Sequence, residues 1–160
     1  MKKYSFSPIS HPTATVLILG TMPSEQSLAL QQYYGHPRNA FWKIIFSVLE
    51  TPFSTNYEQR KNILLENRIA LWDVLEACMR KGSLDSAIEE EVPNDFVSFL
   101  KAHPNIQYIF FNGQKAAKYF KQYVAVGDGY TQLTLPSTSP ANAGMSFEKK
   151  LVEWERIKQL

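Results

Sequence analysis

The chain has 160 residues, 44% of them hydrophobic and 20% charged, and a formal net charge of +2. That length and balance favour one domain, residues 1–160, built round one core, and the small positive charge permits nucleic-acid binding without arguing for it. The single cysteine, Cys78, excludes an internal disulfide framework and argues against a Cys-ligated iron–sulfur cluster.

The opening residues MKKYSFSPIS lack the apolar stretch of a signal peptide, and no run approaches the ~20 apolar residues of a membrane span. An intracellular, cytoplasmic setting is expected, with a monomer as the default. Along the chain, TVLILGT at 15–21 is a short apolar, β-branched run that reads as a buried parallel strand. A short helix over 24–31 follows, with Ser24 as N-cap. The loop YYGHPRN leads to Asn39, which can cap a helix over 40–50 whose Phe41, Ile44, Ile45 and Val48 keep helical spacing. Residues 57–68 read as a polar amphipathic helix and 69–75 (IALWDVL) as a second strand. A helix over 95–102 stops before Pro104, and 106–111 (IQYIFF) is a third strand. A helix over 114–123, a fourth strand over 130–135, the loop PSTSPANAG and a last helix over 146–158 complete the chain. Lys115, Lys118 and Lys121, and the Lys149, Lys150, Arg156 and Lys158 group with its interspersed glutamates, read as solvated helix faces.

Strands alternating with helices predict an α/β fold: a three-layer α/β/α sandwich round a central four-stranded parallel sheet. Ligands in such folds bind at the carboxyl ends of the strands. The segments GTMPS, WDVL, FNG and LPSTSPANA should therefore line one crevice. These loops contain no Cys, and His36 is their one neighbouring histidine, so no zinc-site spacing is present and no metal or other cofactor is expected. His11 and His103 fall at the opposite ends of their strands. No phosphate loop ending GK[ST], no GxGxxG and no G-x-S-x-G nucleophile elbow occurs. What remains is neutral, polar and aromatic: Thr21, Ser24, Tyr33, Tyr34, Asn39, Asn112, Ser137, Ser139 and Asn142, with Asp73. Aromatic rings and amides suit a flat heterocycle, stacking on its faces and reading its edge. The same residues admit a structural reading, because Asn39 precedes a helix and Asn112 precedes Gly113 at a turn.

GTMPS, YYGHPRNAFW, WDVL and LPSTSPANA, in that order and at strand ends, resemble the uracil-DNA glycosylase superfamily over essentially the whole chain. The resemblance is greatest to its hypoxanthine (deoxyinosine) branch, and next to the G:T/U mismatch-specific branch, which shares HPxNxFW. It implies a monofunctional enzyme that flips a deaminated base out of DNA and hydrolyses its glycosidic bond. Two departures from the uracil-specific pattern stand out. Met22 occupies the place of a water-positioning Asp or Asn, and Leu135 the place of a His that stabilises the departing base. The resemblance accordingly implies Asn39 as the water-positioning residue. It implies base contacts at Thr21, Met22, Tyr34, Asp73 and Asn112, with Tyr34 stacking on the base and Asp73 reading its edge. It implies DNA contacts at Ser24, Arg38, Ser137, Ser139, Pro140 and Asn142, with Pro140, Ala141 or Met145 filling the gap in the base stack. A mismatch-specific uracil or thymine glycosylase is the alternative within the class. A non-catalytic nucleotide-binding or damaged-DNA-binding domain is the alternative outside it.

Overall fold

The computed structural model describes residues 2–158. Four strands form the central sheet: β2 (Val16–Gly20), β3 (Ile69–Asp73), β6 (Tyr108–Asn112) and β7 (Thr131–Leu135). They lie in the order β3-β2-β6-β7 with every pairing parallel. The register aligns the strand ends, because Gly20 faces Asp73 and Asn112 faces Leu135. Four strand ends therefore share one crest of the sheet, as the crevice rule requires.

Side chains alternate across this sheet, so each strand feeds two cores. Leu17, Leu19, Ala70, Trp72, Ile109 and Phe111 face one layer, packed by Phe96, Phe99 and Leu100 of α4 (Phe96–Ala102) and by Ala116, Tyr119 and Phe120 of α5 (Gln114–Tyr123). Val16, Ile18, Leu71 and Phe110 face the other layer. It is packed by Phe41, Ile44, Ile45 and Val48 of α2 (Phe41–Val48), Ile63 and Leu64 of α3 (Tyr57–Glu66), and Trp154 of α6 (Phe147–Trp154). Burying each of the Val, Leu, Ile and Phe side chains among them contributes about 1.5–3 kcal/mol. The expected three layers are present, and the helix over Gln114–Tyr123 falls where the periodicity placed it. The short helix α1 (Glu25–Leu30) starts at Ser24, whose side chain accepts from the Ser27 amide.

Three features depart from the sequence reading. The second strand does not run on to Leu75. It leaves the parallel sheet after Asp73, where the Val74 amide donates to the Gly20 carbonyl at 2.8 Å, and continues as β4 (Leu75–Met79). There it pairs antiparallel with β1 (Lys2–Tyr4) and β5 (Glu89–Pro93), giving a second, three-stranded sheet. Neither KKY nor EEEVP carries an apolar alternation, so long-range pairing rather than local pattern makes them strands. Finally, Lys150 does not lie on a solvated face: it is buried on α6, and desolvation holds its ammonium below its ordinary pKa.

Candidate active site

Above the crest lies a cleft of about 970 Å³, the scale of a site that takes a ligand of nucleoside size or larger. Its wall brings together Thr21, Met22, Ser24, Tyr34, Asn39, Asp73, Asn112, Ser137, Ser139 and Asn142, residues drawn from every segment expected to converge. Arg38 and Pro140 are not on that wall. Arg38 is exposed, and Pro140 is half-buried in the loop after β7. Among the described residues, no group of three His, Cys, Asp or Glu is placed to hold a metal ion.

On one side, the cleft is built from interlocked loops. Asn112 ends β6 and is spent on structure: its Nδ2 donates to Thr138 Oγ1 at 2.9 Å, and its Oδ1 accepts from the Thr138 amide at 2.9 Å. Thr138 is buried, and its carbonyl accepts from the Ala40 amide at 3.0 Å, tying the loop after β7 to the segment carrying Asn39. Within the loop, Ser137 Oγ accepts from the Ser139 amide, Ser139 Oγ accepts from the Ala141 amide, and Asn142 Nδ2 donates to the Ser137 carbonyl. From α6, Trp154 Nε1 donates to the Pro136 carbonyl at 2.9 Å. Gly113 has φ +93°, and a Cβ there would come within 3.2 Å of Ser137 Cβ, so glycine is needed for this close approach.

Asn39 is half-buried and fixed from both ends. Its amide donates to the His36 carbonyl at 2.9 Å, and its Oδ1 accepts from the Phe41 amide at 2.9 Å, a turn bond two residues on; the N-cap of α2 is Ala40 rather than the expected Asn39. A carboxamide oxygen has two acceptor sites, and its nitrogen has two donors. The bond to the Phe41 amide therefore orients the side chain and leaves part of its polar capacity to the cleft. His36 Nδ1 accepts from the Arg38 amide at 3.0 Å, so His36 shapes this turn.

The opposite side holds polar groups that are not satisfied in this way. Asp73 is buried at the end of β3, with Oδ2 accepting from Ser5 Oγ at 2.6 Å. Burial is the largest effect on its carboxyl and pushes it up to about 7; the Ser5 hydrogen bond and the more distant Arg80 pull the other way. Tyr34 adopts φ 54°, a left-handed conformation costly for a bulky residue. Its ring stacks on Phe41 with centroids 4.2 Å apart, so one face expected for a base is already covered. Its hydroxyl is buried without a hydrogen-bond partner, and burial, reinforced by the nearby Asp73, holds it far above the ordinary phenol range. Gly20 makes this corner feasible: a Cβ there would lie 2.6 Å from both Asp73 Oδ1 and the Tyr34 hydroxyl. Tyr33, by contrast, is a core residue whose hydroxyl donates to the Ser7 carbonyl at 2.9 Å.

The loop after β4 completes the wall with Ser83, Leu84 and Asp85. Sequence reasoning assigned none of them a role, nor Gly20, Ser5 or Thr138. Arg80, with its side chain wholly buried, braces this loop by donating to the carbonyls of Pro23 and Ser83 and pairing with Asp85 at 3.8 Å. Desolvation raises the Asp85 carboxyl, with Arg80 opposing it. Only Gly20 left a trace in the sequence, as the glycine closing an apolar strand.

Known proteins resemble this arrangement over nearly its full length. The family profile described as the uracil DNA glycosylase superfamily matches residues 7–159. A protein of Methanosarcina acetivorans named hypoxanthine DNA glycosylase is 39% identical over 158 residues, covering 98% of each chain. One of the same name from Methanosarcina barkeri is 38% identical over 143 residues, covering 89% of each. A solution NMR structure from Methanosarcina acetivorans, provisionally assigned as a uracil DNA glycosylase, superposes with a TM-score of 0.85 at 39% identity, covering 98% of this chain and 96% of its own. By profile, by full-length identity and by fold, this chain belongs to the uracil DNA glycosylase superfamily.

Proposed function

We propose that the chain is a single-domain, monomeric and monofunctional DNA glycosylase of base excision repair. It hydrolyses the N-glycosidic bond of a flipped-out hypoxanthine and leaves an abasic site. The observation that carries this reading is the buried Asp73 carboxyl, held by Ser5, sharing one cleft with the oriented Asn39 amide. The names of the two Methanosarcina relatives support the choice of base.

Extrusion of the base costs a few kcal/mol, least for a mismatched or damaged pair, and so favours deaminated bases. In the cleft, the C1′–N9 bond breaks first and its electron pair leaves with the purine. Water then adds to C1′ and releases a proton, while the departing purine takes one up, so charge balances. The Asn39 carbonyl dipole, held by the Phe41 amide, aims the water and faces the developing positive charge on the sugar. Asp73 acts in its neutral form as a donor to the leaving purine, which sets its raised carboxyl to work near neutral pH. Thr21 and Met22 form part of the cleft wall beside the base. Tyr34 faces it from its stack on Phe41. Asn112 supports the base pocket through its hold on Thr138. Ser24, Ser137, Ser139 and Asn142 at the cleft, with Arg38 outside it, contact the DNA backbone, and Pro140, Ala141 or Met145 fills the gap in the base stack. No lysine lines the cleft among the described residues, which favours hydrolysis over a Schiff-base lyase step.

Single-turnover assays on labelled duplexes with one deoxyinosine or deoxyuridine opposite each normal base test the reading. Deoxyinosine strands should break preferentially after alkali, and Asn39→Ala should slow excision by about 10²–10³-fold. Preferential deoxyuridine cleavage moves the protein to the mismatch-specific activity. No cleavage of either substrate by folded protein overturns the enzymatic reading.

A further inference from the structure

The two carboxyl oxygens of Asp73 have different surroundings. Oδ1 lies over Gly20, beside the unpartnered Tyr34 hydroxyl, while Oδ2 accepts from Ser5 Oγ. Ser5 is distant in sequence and reaches Asp73 only through the antiparallel sheet. Tyr4 pairs with Ala77, and the Ser5 amide donates to the Glu76 carbonyl at 2.8 Å, just beyond the point where the chain passes from β3 into β4. Among the described residues, Ser5 makes the one hydrogen bond to this carboxyl; Asn94 Nδ2 donates instead to the Asp73 backbone carbonyl, at 2.8 Å.

We propose that Ser5 is a positioning residue for the glycosylase reaction: its hydroxyl donates to Asp73 Oδ2, so that the acid proton resides on Oδ1, above Gly20 at the cleft floor. This rests on the reading of Asp73 as donor to the leaving base. In a neutral carboxyl, the carbonyl oxygen is the acceptor and the other oxygen carries the proton. A donor fixed at Oδ2 therefore selects the form in which Oδ1 is the hydroxyl. The other groups facing Asp73 do not make that choice. Tyr33 donates its hydroxyl to the Ser7 carbonyl, and the Tyr34 hydroxyl makes no hydrogen bond. Arg80 and Asp85 act on it through space from beyond β4, and Arg80 is paired with Asp85.

The same hydrogen bond favours the ionised carboxylate, so its loss raises the Asp73 midpoint. Carboxyl ¹³C NMR titration of the full chain and single-turnover excision of a deoxyinosine duplex across the same pH range test the inference. Ser5→Ala should raise the Asp73 midpoint by about one pH unit or more, the size of a hydrogen bond to a charged group. The alkaline fall in excision rate should move up with it, and the rate on the low-pH plateau should drop about tenfold. Ser5→Thr, which keeps the hydroxyl, should restore both. An unmoved Asp73 midpoint in Ser5→Ala overturns the inference. So does a shifted midpoint with an unmoved rate profile, because the contact then has no part in the reaction. A wild-type chain that shows the midpoint shift on mutation but cuts no deoxyinosine substrate overturns the glycosylase reading and leaves the Ser5–Asp73 coupling standing.

Discussion

The two sides of the cleft treat polar side chains in opposite ways. On the Asn112 side, donors and acceptors find each other: Asn112 engages Thr138 twice, Thr138 engages Ala40, and the serines of the last loop cap its turns. On the Asp73 side, a carboxyl without an ion pair and a hydroxyl without a partner are buried together over Gly20. Satisfied networks rigidify, whereas buried unsatisfied groups cost free energy and persist where chemistry requires them. The difference separates the asparagine whose polar groups are satisfied within the fold from the aspartate buried beside an unpartnered hydroxyl, a distinction that residue type alone does not make.

The largest expected effect tests the Asp73 side. The carboxyl midpoint is raised in the folded chain from 3.8 to about 7. Between those values the folded protein retains a proton that the unfolded chain has released. The stabilising contribution of protonated Asp73 is thus complete below the unfolded value and is lost as pH rises through 7. Asp73→Asn removes that loss, so the variant should be more stable than wild type at pH 8, by up to roughly 4 kcal/mol. The gain should vanish near pH 4, as read by denaturant unfolding at the two pH values. Equal stability at pH 8 would break the contrast between the two sides.

Asn112→Ala tests the satisfied side. It strands the buried Thr138 amide and hydroxyl and should cost about 2–3 kcal/mol at any pH, seen as a lower denaturation midpoint. Gly20→Ala drives a methyl into contact with both Asp73 Oδ1 and the Tyr34 hydroxyl and should cost about 1–3 kcal/mol. A crystal structure of that variant should show Tyr34 displaced. The smallest effect sharpens the comparison most. Tyr34→Phe deletes an unpartnered hydroxyl and should leave stability unchanged or raise it by up to about 1 kcal/mol. Tyr33→Phe deletes a hydroxyl that donates to the Ser7 carbonyl, and should lower stability by a similar amount. Thermal melts of the two variants side by side give the sign.

Much of the architecture was legible because it is written in local periods. Apolar runs marked three of the four parallel strands, β2, β3 and β6, and helical spacing marked α2 and α5. Placing the crevice at the strand ends needed only the rule for parallel sheets, and every segment expected there lines the cleft. The misses are of another kind. Lys150 reads as one more surface lysine, and only the packing of α6 shows it buried. The strand through Asp73 reads as continuous, since nothing in IALWDVL announces a change of sheet at Val74.

By itself, then, the sequence determined the alternation of strands and helices, the parallel sheet, the family and the segments that meet at its crest, because each depends on near neighbours or on motifs in order. Tertiary structure alone decided what those residues do to one another. The Ser5–Asp73 bond joins positions 68 residues apart, and the Asn112–Thr138 clasp joins positions 26 apart. Gly20 matters because two side chains from other segments converge on the space its missing Cβ leaves. The burial that raises Asp73 is likewise a property of the assembled fold, since no local pattern sets how much water a carboxyl keeps.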